Sequence, residues 1–189
     1  MPFGIGFFAT AGAGGGAAPA MELISTQLIT SATSSVTFSS IPATYKHLQV
    51  RATIRTDRSG NTDDLMTMRV NGDTGGNYAN HLLFGNGSSV SSAANATGLT
   101  YQRNFRVAGN DFTSSGYAAM VYDILDYSNT SKNTTSRHLI GLAGNYNEIG
   151  LGSGLWMNTA AVTSLTFFMA ITATNFVGGT RFSLYGVKG

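Results

Sequence analysis

The sequence predicts an all-β protein: a single antiparallel β-sandwich, jelly-roll-like, with an extended Gly/Ala-rich N-terminal arm. Charged residues make up only 11% of the 189 positions, against about 25% in typical soluble domains. Gly, with 24 residues, and Ser, Thr and Asn take their place, which suits strands joined by tight turns and not helices with charged outer faces. Nearly a dozen short apolar runs are separated by turn-forming residues, a spacing typical of sandwiches and jelly rolls. We therefore expect helix in less than about a tenth of the chain, against the usual third.

The chain divides into residues 1–21, a predicted docking arm, and residues 22–189, the predicted β-sandwich body. The arm has no charged side chain, and residues 11–18 have the Gly/Ala composition of a flexible linker. Its apolar residues alternate near the start, as in an extended strand. An arm of this composition forms no core alone, so we expect it to dock on a sister subunit or another protein. The predicted docking residues are Phe3, Ile5, Phe7 and Phe8.

The clearest strand signal lies at residues 46–56. Apolar and polar residues alternate there with a period of two, which predicts one buried and one solvated face. Arg51 and Arg55 fall on the solvated face, where we expect them to be exposed or paired. The residues predicted to be buried are Leu48, Val50, Ala52 and Ile54.

The remaining strands are predicted from apolar runs and from the turns between them. Residues 78–84 are apolar but their type is ambiguous, and residues 86–98, rich in Ser, Asn and Ala, are predicted to be a loop. The other predicted strands are 22–30, 34–38, 65–70, 99–107, 116–127, 137–145, 155–157, 164–172 and 180–187.

Residues that could hold a metal or a cofactor are sparse. The sequence contains no cysteine, which excludes disulfides, cysteine zinc sites and thiol catalysis. His47, His81 and His138 lie far apart, and we interpret them as scattered polar or interface residues, since a metal site needs converging ligands. Segments 57–64 and 71–73 are oxygen-rich candidates for calcium but lack the EF-hand spacing. We expect no metal and no cofactor.

Paired carboxylates would indicate an enzyme, a glycan hydrolase with two acidic groups across one cleft. Asp123 and Asp126 flank two apolar residues, so they fall on opposite faces of a straight strand. We interpret the acidic residues as turn-forming and strand-end groups and expect no enzymatic activity. The candidates are Asp57, Asp63, Asp64, Asp111, Asp123, Asp126 and Glu148.

The single tryptophan, Trp156, lies between glycines. An exposed aromatic ring on a sandwich can stack on a sugar, whereas a packed ring belongs to a core or an interface, the commoner setting. We assign Trp156 to a core or interface, together with Tyr78, His81 and Phe84.

The net charge of +2 and the pI of about 9.0 reflect how few charges there are. Basic residues are dispersed along the chain, with Arg51 and Arg55 the nearest approach to a stripe. Nucleic-acid-binding proteins cluster theirs, so we expect no specific nucleic-acid partner. No apolar run reaches the roughly 18 residues of a membrane span, and we expect no membrane partner.

Four stretches carry motifs that occur together in one group of proteins. They are MRVNGDTGGNY at 68–78, DILDYSNT at 123–130, SGLWMNTAAVTSL at 153–165 and the terminus from 175 that ends RFSLYGVKG. Together they resemble small β-rich structural proteins of tailed bacteriophages, especially those that infect cyanobacteria and marine bacteria. The resemblance covers roughly residues 20–189 and offers no catalytic residue.

This resemblance implies a non-enzymatic virion protein, either an external tail appendage or fibre or a capsid decoration (cement) component, located in the virion. Its partners would be other virion proteins of the capsid or tail. The chain also has few of the charged residues that normally protect sheet edges from pairing, so we expect it to associate with further copies of itself, with a homotrimer favoured. A carbohydrate-recognition module that contacts the host cell surface, with a host glycan as partner, is the alternative. Exposed aromatic rings that converge with Asn, Asp or Arg in a groove would favour that alternative.

Overall fold

The computed structural model describes residues 19–171 and 173–189, apart from the side chains of Ala96 and Asn104. The predicted docking residues Phe3, Ile5, Phe7 and Phe8 lie outside this part of the chain. The described residues form twelve strands: β1 (Met21–Leu28), β2 (Ser35–Phe38), β3 (His47–Ile54), β4 (Asp63–Val70), β5 (Tyr78–Gly85), β6 (Val90–Leu99), β7 (Gln102–Ala108), β8 (Ala118–Leu125), β9 (Thr134–Leu142), β10 (Glu148–Trp156), β11 (Leu165–Met169) and β12 (Arg181–Val187).

The strands form two antiparallel sheets that pack face to face. The larger sheet has the order β1-β12-β3-β8-β9-β10-β5-β6, and the smaller has the order β2-β11-β4-β7. The prediction of an all-β sandwich is confirmed, and the described residues contain no helix. No helix of the described chain is therefore available to cross a membrane.

The core lies between the two sheets and is built from alternate residues of most strands. In β3 the predicted burial is confirmed, because Leu48, Val50, Ala52 and Ile54 are all at least nine-tenths buried. Arg51 is exposed on the other face. Arg55, just beyond the end of β3, donates hydrogen bonds to four backbone carbonyls between residues 110 and 116.

The predicted loop at 86–98 is wrong over most of its length, because β6 occupies it from Val90 onward. Ser, Ala and Asn have low strand propensity, so their composition predicts a loop. The segment forms a strand because it pairs with β5. The turn between the two strands is closed by a hydrogen bond from the Asn86 N–H to the Ser89 C=O. The ambiguous segment 78–84 is the other strand of this hairpin.

The predicted strand at 155–157 covers only the end of β10, which begins seven residues earlier at Glu148. In this strand the usual alternation is inverted, with small residues on the buried face and bulky apolar residues on the exposed face. Gly150, Gly152 and Gly154 face the smaller sheet, while Ile149 and Leu151 face solvent. A pattern with glycine on the buried face does not read as a strand, because strands are recognised by bulky buried residues.

Several further boundaries differ from the prediction. β9 begins and ends three residues before the predicted 137–145, and β8 and β11 are shorter than the predicted 116–127 and 164–172. The strand predicted from Leu65 begins at Asp63, so Asp63 and Asp64 open β4 and do not belong to the preceding loop. Leu99 ends β6 and does not begin β7, which starts at Gln102.

Candidate docking surface

The outer face of the larger sheet, which points away from the smaller sheet, carries a group of exposed apolar side chains. They lie on the neighbouring strands β8, β9, β10, β5 and β6. We call this group the outer apolar patch, and it consists of Leu83, Val90, Val121, Leu139, Ile149 and Leu151.

The strand register brings the patch residues side by side. Val121 lies opposite Leu139, and Leu139 lies opposite Leu151. Leu83 follows on β5, opposite Leu151. The four side chains therefore form one row across four strands, in direct cross-strand contact range. Exposed apolar surface that is contiguous, and not scattered, marks interaction sites.

The next row of the sheet combines small residues with Ile149 and Val90 and ends at the sheet edge. Ala119 lies opposite Gly141 on the neighbouring strand, and Ile149 lies opposite Gly85. Val90, opposite Gly85 on β6, is 74% exposed. A shallow hollow of about 600 Å³ lies over this row, lined by its glycines, Ala119 and Ile149. The surface thus alternates an apolar ridge with a hollow.

Polar groups border the patch on one side. Asp123 accepts hydrogen bonds from Gln49 Nε2 at 2.8 Å and from Arg137 Nε at 2.9 Å. His81 lies in the same cross-strand row as Asp123 and Arg137 and is exposed, two residues before Leu83. This arrangement, an apolar centre beside a polar rim, resembles the anatomy of protein interfaces.

The carboxylates considered for calcium hold loops together. Asp57 accepts hydrogen bonds from the Asn175 backbone N–H at 2.7 Å and side-chain amide at 2.9 Å. Asp64 is fully buried and accepts the Thr56 hydroxyl and the Leu65 N–H. Burial raises the pKa of Asp64, against these hydrogen bonds. No three histidine or acidic side chains converge into a metal site in the described part of the chain.

Two of the carboxylates considered for hydrolysis share one arginine. Arg106 pairs with Asp63 and, through Nε at 3.1 Å, with Glu148. The adjoining cavity measures about 30 Å³, the volume of about one water.

Asp123 and Asp126 are separated by the end of β8, because Asp126 adopts a positive φ of 48° in the following turn. Lys132 and Lys46 lower the pKa of Asp126 to about 2.

The three histidines occupy three different settings. His47 accepts a hydrogen bond from the Asp126 N–H through Nδ1, and His81 is exposed. His138 is buried on the inner face with its ring 4.5 Å from that of Phe105. Burial lowers the pKa of His138 to about 4, because the charged form is costly in an apolar environment.

The assignment of Trp156 to a core or interface is confirmed: the residue is buried in the core. Its indole N–H donates to Asp73 Oδ2 at 2.7 Å. Tyr78 is also fully buried, and burial raises its pKa to about 12. Phe84 is half-buried, whereas His81 is exposed beside the outer apolar patch.

Three of the four sequence motifs meet at one end of the sandwich. The Asn71 side chain accepts two backbone N–H groups from residues 163 and 164, at 2.8 and 3.0 Å. Asp73 of the same motif binds Trp156 of the third. The C=O of Tyr127, in the second motif, accepts the Val162 N–H at 2.8 Å. The motif residues therefore lock the connecting loops onto one another.

A group of polar side chains in the interior was not predicted from the sequence. Asn80, Gln102, Thr134 and His138 are buried, and each keeps a side-chain atom with no hydrogen-bond partner among the described residues. The closeness of His138 to Gly152 and of Gln102 to Gly154 explains the inner-face glycines of β10, because a methyl group at either position would overlap these side chains.

Comparison of the chain with protein-family models, with curated proteins and with solved structures finds no match.

Proposed function

We propose that the chain is a non-enzymatic structural protein of a tailed-phage virion, an external tail-appendage or head-decoration component that associates with neighbouring copies of itself. Its N-terminal arm, with Phe3, Ile5, Phe7 and Phe8, would attach it to its neighbours. A homotrimer is the favoured assembly.

The observation that carries this proposal is the outer apolar patch. An exposed row of leucines and a valine on a continuous sheet costs solubility and does not stabilise the body, since no second layer of the described residues covers it. A neighbouring subunit would remove it from water. The occupant we propose is a second copy, because the four residues of the central row are uncharged, and the charged residue that adjoins the row, Arg51 opposite Val121, lies at its end.

The motif residues give a second line of support. Asn71, Asp73 and Trp156 act as loop-locking groups, so the resemblance to phage structural proteins rests on residues that determine a fold. Acidic groups that would serve a hydrolase are engaged in structural pairs, such as Asp63 with Arg106.

One observation favours the alternative, a carbohydrate-recognition module. On the outer face of the smaller sheet, the Arg69 guanidinium lies 4.6 Å from the centre of the Phe168 ring. Tyr101 contacts Phe168 edge-on, with ring centres 5.8 Å apart. This group combines aromatic rings with an arginine, as sugar sites do, although the arginine already stacks on one ring.

The test is to locate the protein. Density-banded particles of the phage whose genome encodes this chain should contain it in many copies, and antibody against the body should label the outside of the head or tail. Particles free of the protein would contradict the proposal. Glycan-array binding by the intact chain that disappears in Tyr101→Ala would support the alternative, whereas Tyr185→Ala is the matched aromatic control.

A further inference from the structure

Strand β6 is an edge of the larger sheet and carries no charge. Its ten residues include no Asp, Glu, Lys or Arg, and neither does the whole stretch of residues 74–102. Natural edge strands are usually protected by charged residues, proline, bulges or short length, because their free backbone groups invite another strand. β6 has no charge, no proline and more residues than any other strand. Its register shift lies at its far end, between the pairs Tyr78–Leu99 and Asn80–Asn95, so that the ladder from Val90 to Asn95 is regular.

β6 also extends beyond the smaller sheet. From Val90 to Ala94 every residue is exposed, so both faces of the strand reach solvent. The side chains here are small, with Ser and Ala at residues 91–94. β6 is therefore held mainly by its ladder to β5.

The free backbone groups of β6 can be assigned from the register. The Asn86 N–H bonds to the Ser89 C=O, so Asn86 and Ser89 form a hydrogen-bonded pair. Hydrogen-bonded and non-hydrogen-bonded pairs alternate in an antiparallel ladder. Val90, Ser92 and Ala94 therefore occupy the non-hydrogen-bonded positions, and their N–H and C=O groups point to the open edge.

The other three edges are less open. Glu22 on β1 pairs with Lys188 at 3.2 Å, and the ladder of β1 shifts after Leu23. β2 has four residues, and its Thr37 C=O accepts the Gln27 side-chain amide at 2.7 Å. β7 carries two arginines. Among the edges of the described sheets, only β6 offers a long uncharged ladder.

The sequence of the N-terminal arm suits pairing with an uncharged edge strand such as β6. Residues 3–8 are uncharged and alternate bulky with small side chains, Phe3, Ile5 and Phe7 against Gly4 and Gly6. In a strand beside β6, the bulky side chains would extend the outer apolar patch next to Val90, and the glycines would lie on the opposite face. Backbone pairing satisfies donors and acceptors of both strands, which burial of side chains on a sheet face cannot do.

We propose that residues 3–8 of one copy add as an antiparallel strand to β6 of a second copy, an inference that rests on the proposed docking role of the arm. Six extended residues span about 20 Å, which the ten residues of β6 accommodate.

The distance that the arm can span decides whether it docks on β6 of its own copy or on β6 of a second copy. The arm enters β1, which is seven strand spacings from β6, about 34 Å at about 4.8 Å each. The twelve residues 9–20 that would bridge this distance have the Gly/Ala composition of a flexible chain, with a typical end-to-end span of about 17–21 Å. Docking on the same body would need an almost fully stretched linker, whereas a neighbouring β6 can lie closer.

Such a contact is heterologous, since the arm of one copy meets the edge of the next. Heterologous contacts close into rings or continue as chains. A ring of three copies would agree with the favoured trimer, and each copy would then cover one edge and lend one arm.

The natural absence of cysteine makes a disulfide test clean. Full-length Gly6→Cys protein is mixed with full-length Ser91→Cys or Ala93→Cys protein and oxidised, with Gly4→Cys covering the other register. The matched control is Thr26→Cys, exposed on the edge strand β1. We expect mixed dimers with the β6 cysteines to form about tenfold more than with Thr26→Cys, since docked sulfurs lie within bonding distance.

A second measurement uses the protein without cross-links. Ser92→Pro removes an N–H that faces the open edge, and Ser92→Lys adds an edge charge. Both should shift sedimentation of the full chain to smaller species, while Ser92→Ala, which keeps the N–H, should not. If Ser92→Pro fails to fold, Ser92→Lys alone decides.

Three results would overturn the inference. They are equal linking to Thr26→Cys, faster linking of β6 cysteines to each other than to the arm, and linking within one chain in a dilute Gly6→Cys/Ala93→Cys double variant. The second would show that two β6 edges pair, and the third that the arm folds back. If linking fails while the protein is still found on particles, the proposed function stands and only the acceptor edge is wrong.

Discussion

The two faces of the larger sheet use the same kinds of residue for different ends. In β9, Ile140 is 2% exposed on the inner face, whereas its neighbour Leu139 is 49% exposed on the outer face. Both are branched aliphatic side chains of similar size. Ile140 stabilises the body because the smaller sheet covers it, whereas Leu139 faces away from the smaller sheet and gains that stabilisation only where further apolar surface covers it.

Strand β10 sharpens the contrast. Its inner face is glycine at 150, 152 and 154, and its outer face includes Ile149 and Leu151. The inner glycines make room for polar side chains, His138 above all. In β10 the large apolar side chains lie on the solvent-facing side. In a sheet that buries one face only, they normally lie on the core-facing side. The residues of the inner face are therefore determined by steric fit, and we expect those of the outer face to be determined by the surface that they contact.

The largest effect is expected for Gly152→Val. A side chain there would overlap the imidazole of His138, which is buried against Phe105. We expect the free energy of unfolding to fall by more than about 3 kcal/mol, the upper range for overpacking. Urea unfolding followed by fluorescence of Trp156 measures it.

The matched control is Gly141→Val on the neighbouring strand. A Cβ at Gly141 would meet only the Glu148 carbonyl, at 3.8 Å. We expect a change within about 1 kcal/mol, with β-branched propensity favouring the variant. An equal loss in both variants would contradict the difference between the faces.

The second effect is a dependence of stability on pH that comes from the inner face. The folded-state pKa of His138 is lowered from 6.5 to about 4. Between these values the unfolded chain binds a proton that the folded chain does not, so stability falls as the pH falls. From pH 7 to pH 5 the loss amounts to about 2 kcal/mol, measured by urea unfolding at each pH.

His138→Phe keeps an aromatic ring against Phe105 and removes the titrating group, so this part of the slope should disappear. His81→Gln, on the outer face, is the control and should retain the slope, since His138 is still present. A slope that survives His138→Phe would assign the effect to the carboxylates.

The same contrast explains what the sequence could predict. β3 was predictable to within a residue or two because its faces differ as usual, with Leu48 and Val50 inside and Arg51 outside. β10 was not, because glycine fills its buried face. β6 was not, because its Ser and Ala residues form a strand only through pairing with β5, and pairing is a long-range property.

The candidate surface was predictable only in part. Low charge along the chain indicates weak protection of edges, and this prompted the expectation of an oligomer. The outer apolar patch joins residues of five strands that are far apart in sequence, Leu83 and Leu151 among them. Only the register brings them together. The role of the arm stays a prediction, since Phe3, Ile5, Phe7 and Phe8 lie outside the described residues.

The smallest effect on stability is expected for Leu139→Ser and Leu151→Ser on the outer apolar patch. Each side chain is about half exposed, so its removal should change the free energy of unfolding by no more than about 0.5 kcal/mol. Ile140→Ala, one residue away on the inner face, should cost about 2–4 kcal/mol. The double outer variant should nevertheless reduce association of the full chain in sedimentation, because it removes apolar area that only a neighbour buries. If the double variant unfolds as easily as Ile140→Ala, the outer leucines stabilise the free body after all; if it folds normally and association is unchanged, the patch is not the contact between copies.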